Sequence, residues 1–153
     1  MNTDEASCVR EKTATGVWNA SLGDWDPSLE TGMELIDRQH KVLFEQIRIL
    51  LDRSEGDRVQ ETLKFMATYA VEHFMTEEDL HQETDYPQAW EHFVAHNRFT
   101  TVFGELKREY DNSGQNLVIL MKLAKFLSSW LREHIREEDR QFADYFHRLG
   151  PLP

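Results

Sequence analysis

The sequence predicts an all-α protein, an up-down-up-down antiparallel four-helix bundle preceded by an N-terminal arm. Four long stretches place apolar residues with a period close to 3.6, which is typical of helices that bury one face. Short segments rich in Gly, Pro, Asp and Asn separate these stretches, and short connections make consecutive helices antiparallel neighbours. A chain of 153 residues is long enough for one domain with a full core.

The N-terminal part divides into two segments. Residues 1–17 show no apolar period, and we expect them to be disordered, so that the helical domain covers residues 18–150. Residues 17–32 hold two tryptophans, one proline and two glycines without a helical period. This composition predicts an ordered arm that packs Trp18 or Trp25 onto the bundle.

Turn signals set the ends of the four helices. Segment 54–57 and segment 111–114 each combine glycine with Ser, Asp or Asn, and Pro87 disfavours helix in the residue before it. The predicted helices run from Met33 to about Arg53, from about Asp57 to Thr84, from about Gln88 to Tyr110, and from about Gln115 to Arg148.

Composition narrows the function classes. The formal net charge of −11 would repel phosphates, so we expect no nucleic-acid partner. No apolar run reaches transmembrane length, so we expect no membrane partner. The single cysteine, Cys8, leaves no disulfide within the chain, and the polar N-terminus lacks the apolar segment of a secretory signal. These features favour the cytoplasm.

Each predicted helix carries residues of the types that bind metals, on or near its apolar face. Separately they are weak signals, since histidines and carboxylates also occupy solvated helix faces. Together they would bury five imidazoles and two carboxylates in one bundle, at a cost of a few kcal/mol for each polar group without a partner. These seven residues are His40, His73, Glu77, His92, His96, His134 and Asp139.

The spacing of these residues is regular on two helices and irregular on the fourth. His73 and Glu77 are four residues apart, which places them on one helix face. Asp139 lies five residues after His134, whereas Glu138 holds the ideal spacing of four. The use of Asp139 therefore requires a locally widened helix or ligands that straddle two metals.

This donor set suits a pair of metal ions. Imidazole and carboxylate without thiolate fit iron, manganese or zinc. Seven ligands are too many for one ion, and two carboxylates can bridge a pair. The five imidazoles would then divide as three and two, which leaves an open position on the ion with fewer ligands.

The sequence resembles the hemerythrins, in particular the single-domain bacterial form, over about residues 25–146. The similarity is carried by W-D-P-S-L-x-T-G from Trp25, I-D-x-Q-H-K-x-L-F from Ile36, H-F-x-x-E-E from His73, Y-P at 86–87, H-x-x-x-H from His92 and W-L-x-x-H-I-x-x-x-D from Trp130. The spacing of five between His134 and Asp139 matches this family's own pattern.

The resemblance implies a non-haem centre of two iron ions joined by an oxide or hydroxide. It implies that His92, His96 and His134 bind one iron, that His40 and His73 bind the other, which keeps the open position, and that Glu77 and Asp139 bridge both. It also implies an apolar pocket around the open position, lined by Leu43, Phe44, Phe74, Trp130, Leu131 and Ile135. The expected ligand is dioxygen, bound reversibly by a carrier, store or sensor.

Two alternatives stay open from the sequence: a di-iron oxidoreductase acting on peroxide or nitric oxide, and a protein of iron storage or iron sensing. Bacterial relatives suggest a monomer. His81 departs from the methionine common at its position, and we expect a solvent-facing or end-of-bundle residue there, with a role beside the site as the alternative. We expect His147 on the surface.

Overall fold

The computed structural model describes residues 22–52 and 58–150. Within these ranges the chain is helical and contains no strand, which confirms the predicted fold class. The helices are α1 (Glu34–Leu51), α2 (Val59–Glu83), α3 (Ala89–Asn112), α4 (Leu117–His134) and α5 (Arg140–Leu149), with a π-helical turn (Ile135–Asp139) joining α4 to α5. The predicted disorder of residues 1–17, the packing of Trp18, Cys8 and the predicted turn at 54–57 lie outside the described residues.

The helices form a closed antiparallel ring. Contacts join α1 to α2, α2 to α3, α3 to α4, and α4 back to α1. The predicted fourth helix is α4, the π turn and α5 in continuous succession, so the predicted topology holds. None of the helices in the described ranges is both long and apolar enough to cross a membrane.

The described part of the N-terminal arm, which begins at Leu22, contacts the bundle. The Trp25 ring packs edge-on against Phe44, with the ring centroids 5.6 Å apart, as predicted for one of the two tryptophans. The carboxylate of Asp37, in the first turn of α1, accepts hydrogen bonds from the backbone N–H groups of Thr31 and Gly32 at 2.8 and 3.0 Å. These bonds satisfy backbone donors of the arm just before the helix and fix the direction in which the arm enters it.

A polar layer separates the core into two apolar clusters. The larger cluster fills most of the bundle, and the smaller one lies at the end where α5 packs. On α1, for example, His40 lies between Ile36 of the smaller cluster and Leu43 of the larger one. The layer between the clusters contains the seven ligand-type residues. Apolar residues lie above and below this layer along the bundle axis.

Candidate metal centre

Seven buried polar side chains converge between the two apolar clusters. None of them is more than 3% exposed. The four elements of the ring all contribute: α1 one, α2 two, α3 two, and α4 with its π turn two. They are the seven predicted from the sequence: His40, His73, Glu77, His92, His96, His134 and Asp139.

The π turn explains the unusual spacing on the last helix. A π-helical turn pairs residues five apart, so it turns residue i+5 toward the face that residue i occupies. The turn covers Ile135–Asp139, immediately after His134. As a result, Oδ1 of Asp139 lies 3.0 Å from Nε2 of His134. The ideal α-helical partner, Glu138, instead faces the other ring nitrogen of His134, Nδ1, at 3.4 Å.

Three imidazoles form the first group. Nε2 of His134 lies 2.9 Å from Nε2 of His92 and 3.1 Å from Nε2 of His96. Ligands that bind one metal at right angles, each at about 2.1 Å, lie about 3.0 Å apart. The three nitrogens therefore already have the separations of neighbouring ligands on one ion.

Two imidazoles form the second group. The rings of His40 and His73 lie 4.7 Å apart between centroids, at 71° to each other. Donor atoms of these two residues, Glu77 and Asp139 all lie within 4.8 Å of one another, and the same holds for Glu77 with the three imidazoles of the first group. The geometry thus divides the imidazoles as three and two.

The two carboxylates connect the groups. Oε1 of Glu77 lies 3.5 Å from Nε2 of His73, while Oε2 lies 3.1 Å from Nε2 of His96. Oδ2 of Asp139 lies 3.0 Å from Nε2 of His40, while Oδ1 lies 3.1 Å from Nε2 of His92. Each carboxylate therefore presents one oxygen to each group, which is the arrangement of a bridging ligand.

The donor atoms that face the centre would be satisfied better by a pair of metal ions than by hydrogen bonds to one another. Among the described residues, well-aligned hydrogen-bond partners are lacking for Nε2 of His40, Nε2 of His73 and both carboxylate oxygens of Glu77 and of Asp139. Buried polar atoms in that state cost on the order of 1–3 kcal/mol each. Metal ions placed in the two groups would satisfy them at once, and the donor types suit iron, manganese or zinc.

Burial and the charge of Asp139 have large effects on the pKa values of the groups at this site. Burial raises the pKa of Glu77 well above its ordinary value, and the negative Asp139 beside it raises it further. Burial would also raise the pKa of Asp139, but His134 holds it well below its ordinary value. Burial lowers the pKa of His134, yet the attraction of Asp139 outweighs burial and raises it to about 10. These shifts favour a proton on Glu77 and keep His134 protonated at pH 7.

Metal binding must displace these protons. We expect that adding Fe²⁺ anaerobically to the metal-free protein at pH 7 releases at least about two protons per chain, because metal ligands bind in their deprotonated forms. Titration at constant pH measures the release. A His147→Gln variant serves as the control and should release the same number, whereas metal binding without proton release would contradict this charge distribution.

Outer side chains orient three of the five imidazoles: His73, His96 and, through Glu138 as described above, His134. Nδ1–H of His73 donates to Oε1 of Gln39 at 2.9 Å, and the amide of Gln39 is itself held by Oγ1 of Thr76 at 3.2 Å. Nδ1–H of His96 donates to Oε1 of Glu78 at 2.9 Å. The sequence analysis gave no role to Gln39. The available signal was its position directly before the predicted ligand His40, on the polar side of the same helix.

His81 is buried at the end of the bundle where α5 packs. The expectation of a solvent-facing residue is wrong, because His81 is only 2% exposed, whereas an end-of-bundle position agrees with its contacts. Its ring packs edge-on against Phe142 at 4.4 Å and lies 4.6 Å from the ring of His92. Spacing explains the difference: His81 follows Glu77 by four residues and so continues the inward face of α2. His147 is exposed, as predicted, and bonds the backbone oxygen of Thr31 at 3.1 Å.

A small apolar cavity adjoins the polar layer. Its lining residues are Leu43, Ile47, Met66, Ala70, Phe74, Phe99, Leu127, Trp130 and Leu131. Four of the six predicted pocket residues belong to this set; Phe44 and Ile135 do not, although both are buried in the same core cluster. Phe74 stacks on His96 at 4.0 Å and Trp130 stacks on His134 at 4.3 Å, so the cavity wall contacts the imidazoles directly.

Comparisons with known proteins agree with this geometry. A family model described as "Hemerythrin HHE cation binding domain" matches residues 31–146. A bacteriohemerythrin of Pseudomonas paraeruginosa is 30% identical over 123 residues, which cover 78% of each chain. A bacteriohemerythrin of Clostridium acetobutylicum is 26% identical over 130 residues, covering 78% of this chain and 98% of the relative. A hemerythrin-like protein of Naegleria gruberi is 30% identical over 120 residues, covering 78% and 89%.

Proposed function

Since this chain belongs to the hemerythrin family, we propose that it binds dioxygen reversibly at a non-haem centre of two iron ions. The observation that carries the proposal is the pair of buried carboxylates, each with one oxygen toward a group of three imidazoles and the other toward a group of two. A single ion would leave one of these groups without a metal.

This grouping supports a division of the seven residues between the two ions. His92, His96 and His134 would hold one iron, and His40 and His73 the other. Glu77 and Asp139 would bridge them. The second iron receives one imidazole fewer, so it is the one on which we place the open position.

Iron ions held by these residues would supply the two electrons that dioxygen takes up on binding. The surrounding chain controls access and orientation. Gln39 fixes the ring plane and tautomer of His73 through a hydrogen bond of 2.9 Å. The cavity beside the site is lined by apolar side chains throughout and has room for about one small molecule. An apolar wall of this kind excludes water and so slows irreversible oxidation.

This cavity is also the reason to prefer a binding protein over an enzyme. Turnover of peroxide needs an acid or a base close to the reacting atoms, and the nine side chains of the cavity wall offer neither. Oxygen transport or storage, a monomeric state and a cytoplasmic location are predictions that accompany the proposal.

Metal analysis tests the centre itself. We expect about two iron ions per chain in protein expressed with iron and isolated without chelators, because the donor set divides into two groups with shared carboxylates. Inductively coupled plasma mass spectrometry of protein quantified by amino-acid analysis gives the ratio. One zinc per chain, or no metal after reconstitution with Fe²⁺, would overturn the di-iron proposal.

A further inference from the structure

A second set of buried polar atoms lies just beyond the imidazole group of three. Both ring nitrogens of His81, and Nδ1 of His92, are buried without a hydrogen-bond partner among the described residues. The two rings lie 4.6 Å apart between centroids and are tilted by 47°. Three nitrogens in two adjoining rings would each lower stability if they stayed unpaired.

The tautomer of His92 follows from the direction in which it faces. Its Nε2 points to the centre, 2.9 Å from Nε2 of His134 and 3.1 Å from Oδ1 of Asp139. When Nε2 binds a metal through its lone pair, the proton of the neutral ring must be on Nδ1. Nδ1–H is then a donor that points away from the metal and requires an acceptor.

Three other imidazoles of the centre show what that acceptor does, whereas Nδ1 of His40 also lacks a partner among the described residues. Nδ1 of His96 has Glu78, Nδ1 of His73 has Gln39, and Nδ1 of His134 faces Glu138. Acceptors in this position fix the ring and make it a stronger donor to the metal. Nδ1 of His92 has no such partner among the described residues, and the ring of His81 lies beside it, 4.6 Å away between centroids.

His81 has the chemistry of an acceptor. His81 is only 2% exposed, and burial favours the neutral ring, which carries one N–H and one free lone pair. Its other ring neighbours are Tyr86 at 5.0 Å and Phe142 at 4.4 Å, which contact it through their aromatic rings. The lone pair of His81 is thus available to His92.

We propose that His81 accepts the hydrogen bond of Nδ1–H of His92, either directly after a small ring rotation or through one bridging water, and thereby positions His92 as a metal ligand. The inference rests on the proposed metal centre. It makes His81 a positioning residue, whose removal weakens metal binding although His81 does not touch the metal.

The test compares two substitutions in the full chain with Zn²⁺ as the probe. Methionine at this position fills the space but offers only a weak acceptor, whereas glutamine offers a carbonyl oxygen. We expect His81→Met to weaken Zn²⁺ binding about 10- to 100-fold, the usual effect of losing such a partner, and His81→Gln to stay within about threefold of the parent chain. Competition against a chelator measures both affinities, and His147→Met is the control for loss of a histidine outside the site.

Stability of the metal-free protein separates positioning from packing. Without a metal on Nε2 the proton of His92 is not fixed on Nδ1, so the ring can change tautomer when its acceptor is lost. Metal-free His81→Met should therefore melt within about 3 °C of the parent chain, while its metal affinity falls. Equal losses of stability and affinity, or the same weakening in His81→Gln as in His81→Met, would show a packing role and overturn the proposal.

Nuclear magnetic resonance of the Zn²⁺-loaded protein gives a direct signature. The Nδ1–H proton of His92 should exchange slowly with solvent and be visible in the parent chain and in His81→Gln, and be lost or markedly faster in exchange in His81→Met. An unchanged His92 resonance in His81→Met would overturn the proposal. The metal count of the unaltered chain is independent of these variants, so failure of the di-iron proposal and failure of this inference are distinguishable.

Discussion

In a Glu77→Gln variant, bound iron falls from about two ions per chain to at most about one, because a bridging carboxylate is lost. Glu77 is fully buried, with Oε1 toward His73 and Oε2 toward His96. Glutamine keeps the shape of the side chain, but its NH₂ group cannot bind a metal, so one of the two contacts is lost. Iron analysis after anaerobic reconstitution measures the change.

The neighbouring carboxylate provides the matched control. Within the part of the chain that the structure describes, Glu78 bonds the outer nitrogen of His96 and no atom on the inner side of the centre, and its side chain is 26% exposed. A Glu78→Gln variant has the same change of charge one residue away and should still bind about two irons, because glutamine also offers an acceptor oxygen to His96. Equal iron content in the two variants would mean that Glu77 does not bridge.

A Leu131→Asn variant oxidises irreversibly in air at least about tenfold faster than the parent protein, a change equivalent to about 1.4 kcal/mol in the barrier. Leu131 lines the apolar cavity that contacts His96 and His134 through Phe74 and Trp130. An amide in this wall binds water beside the site and so removes the protection that an apolar wall gives. The decay of the visible absorption in air gives the rate.

The control for this variant must carry the same loss of stability. Leu123 is also fully buried on α4 but does not line the cavity. We expect Leu123→Asn and Leu131→Asn each to lower the free energy of unfolding by about 3 kcal/mol. Only Leu131→Asn should accelerate oxidation; equal acceleration in both would assign the effect to general loosening of the fold.

The helices and the seven converging side chains could be predicted because regular helical geometry controls them. Apolar residues at a period of 3.6 identify the buried face, and His73 and Glu77 share that face since they are four residues apart. The helices begin and end within about two residues of the predicted positions wherever the described residues allow comparison.

Features that depend on departures from ideal geometry, or on contacts between helices, could not be predicted in the same way. The spacing of His134 and Asp139 indicated a widened helix as one of two possibilities, and only the structure identifies the π turn. Gln39 lies 34 residues from His73, so their hydrogen bond depends on how α1 and α2 are aligned along their length. The burial of His81 depends likewise on Phe142, which another part of the chain supplies.

The behaviour of the reduced protein in air tests the central proposal most directly. Iron-loaded protein is reduced under argon and then taken through several cycles of air and argon, while the visible absorption is recorded. We expect colour to develop in air, to bleach under argon without added reductant, and to return in the next cycle with little loss. Colour that persists under argon, or steady consumption of peroxide in its place, would contradict reversible dioxygen binding and favour an oxidoreductase.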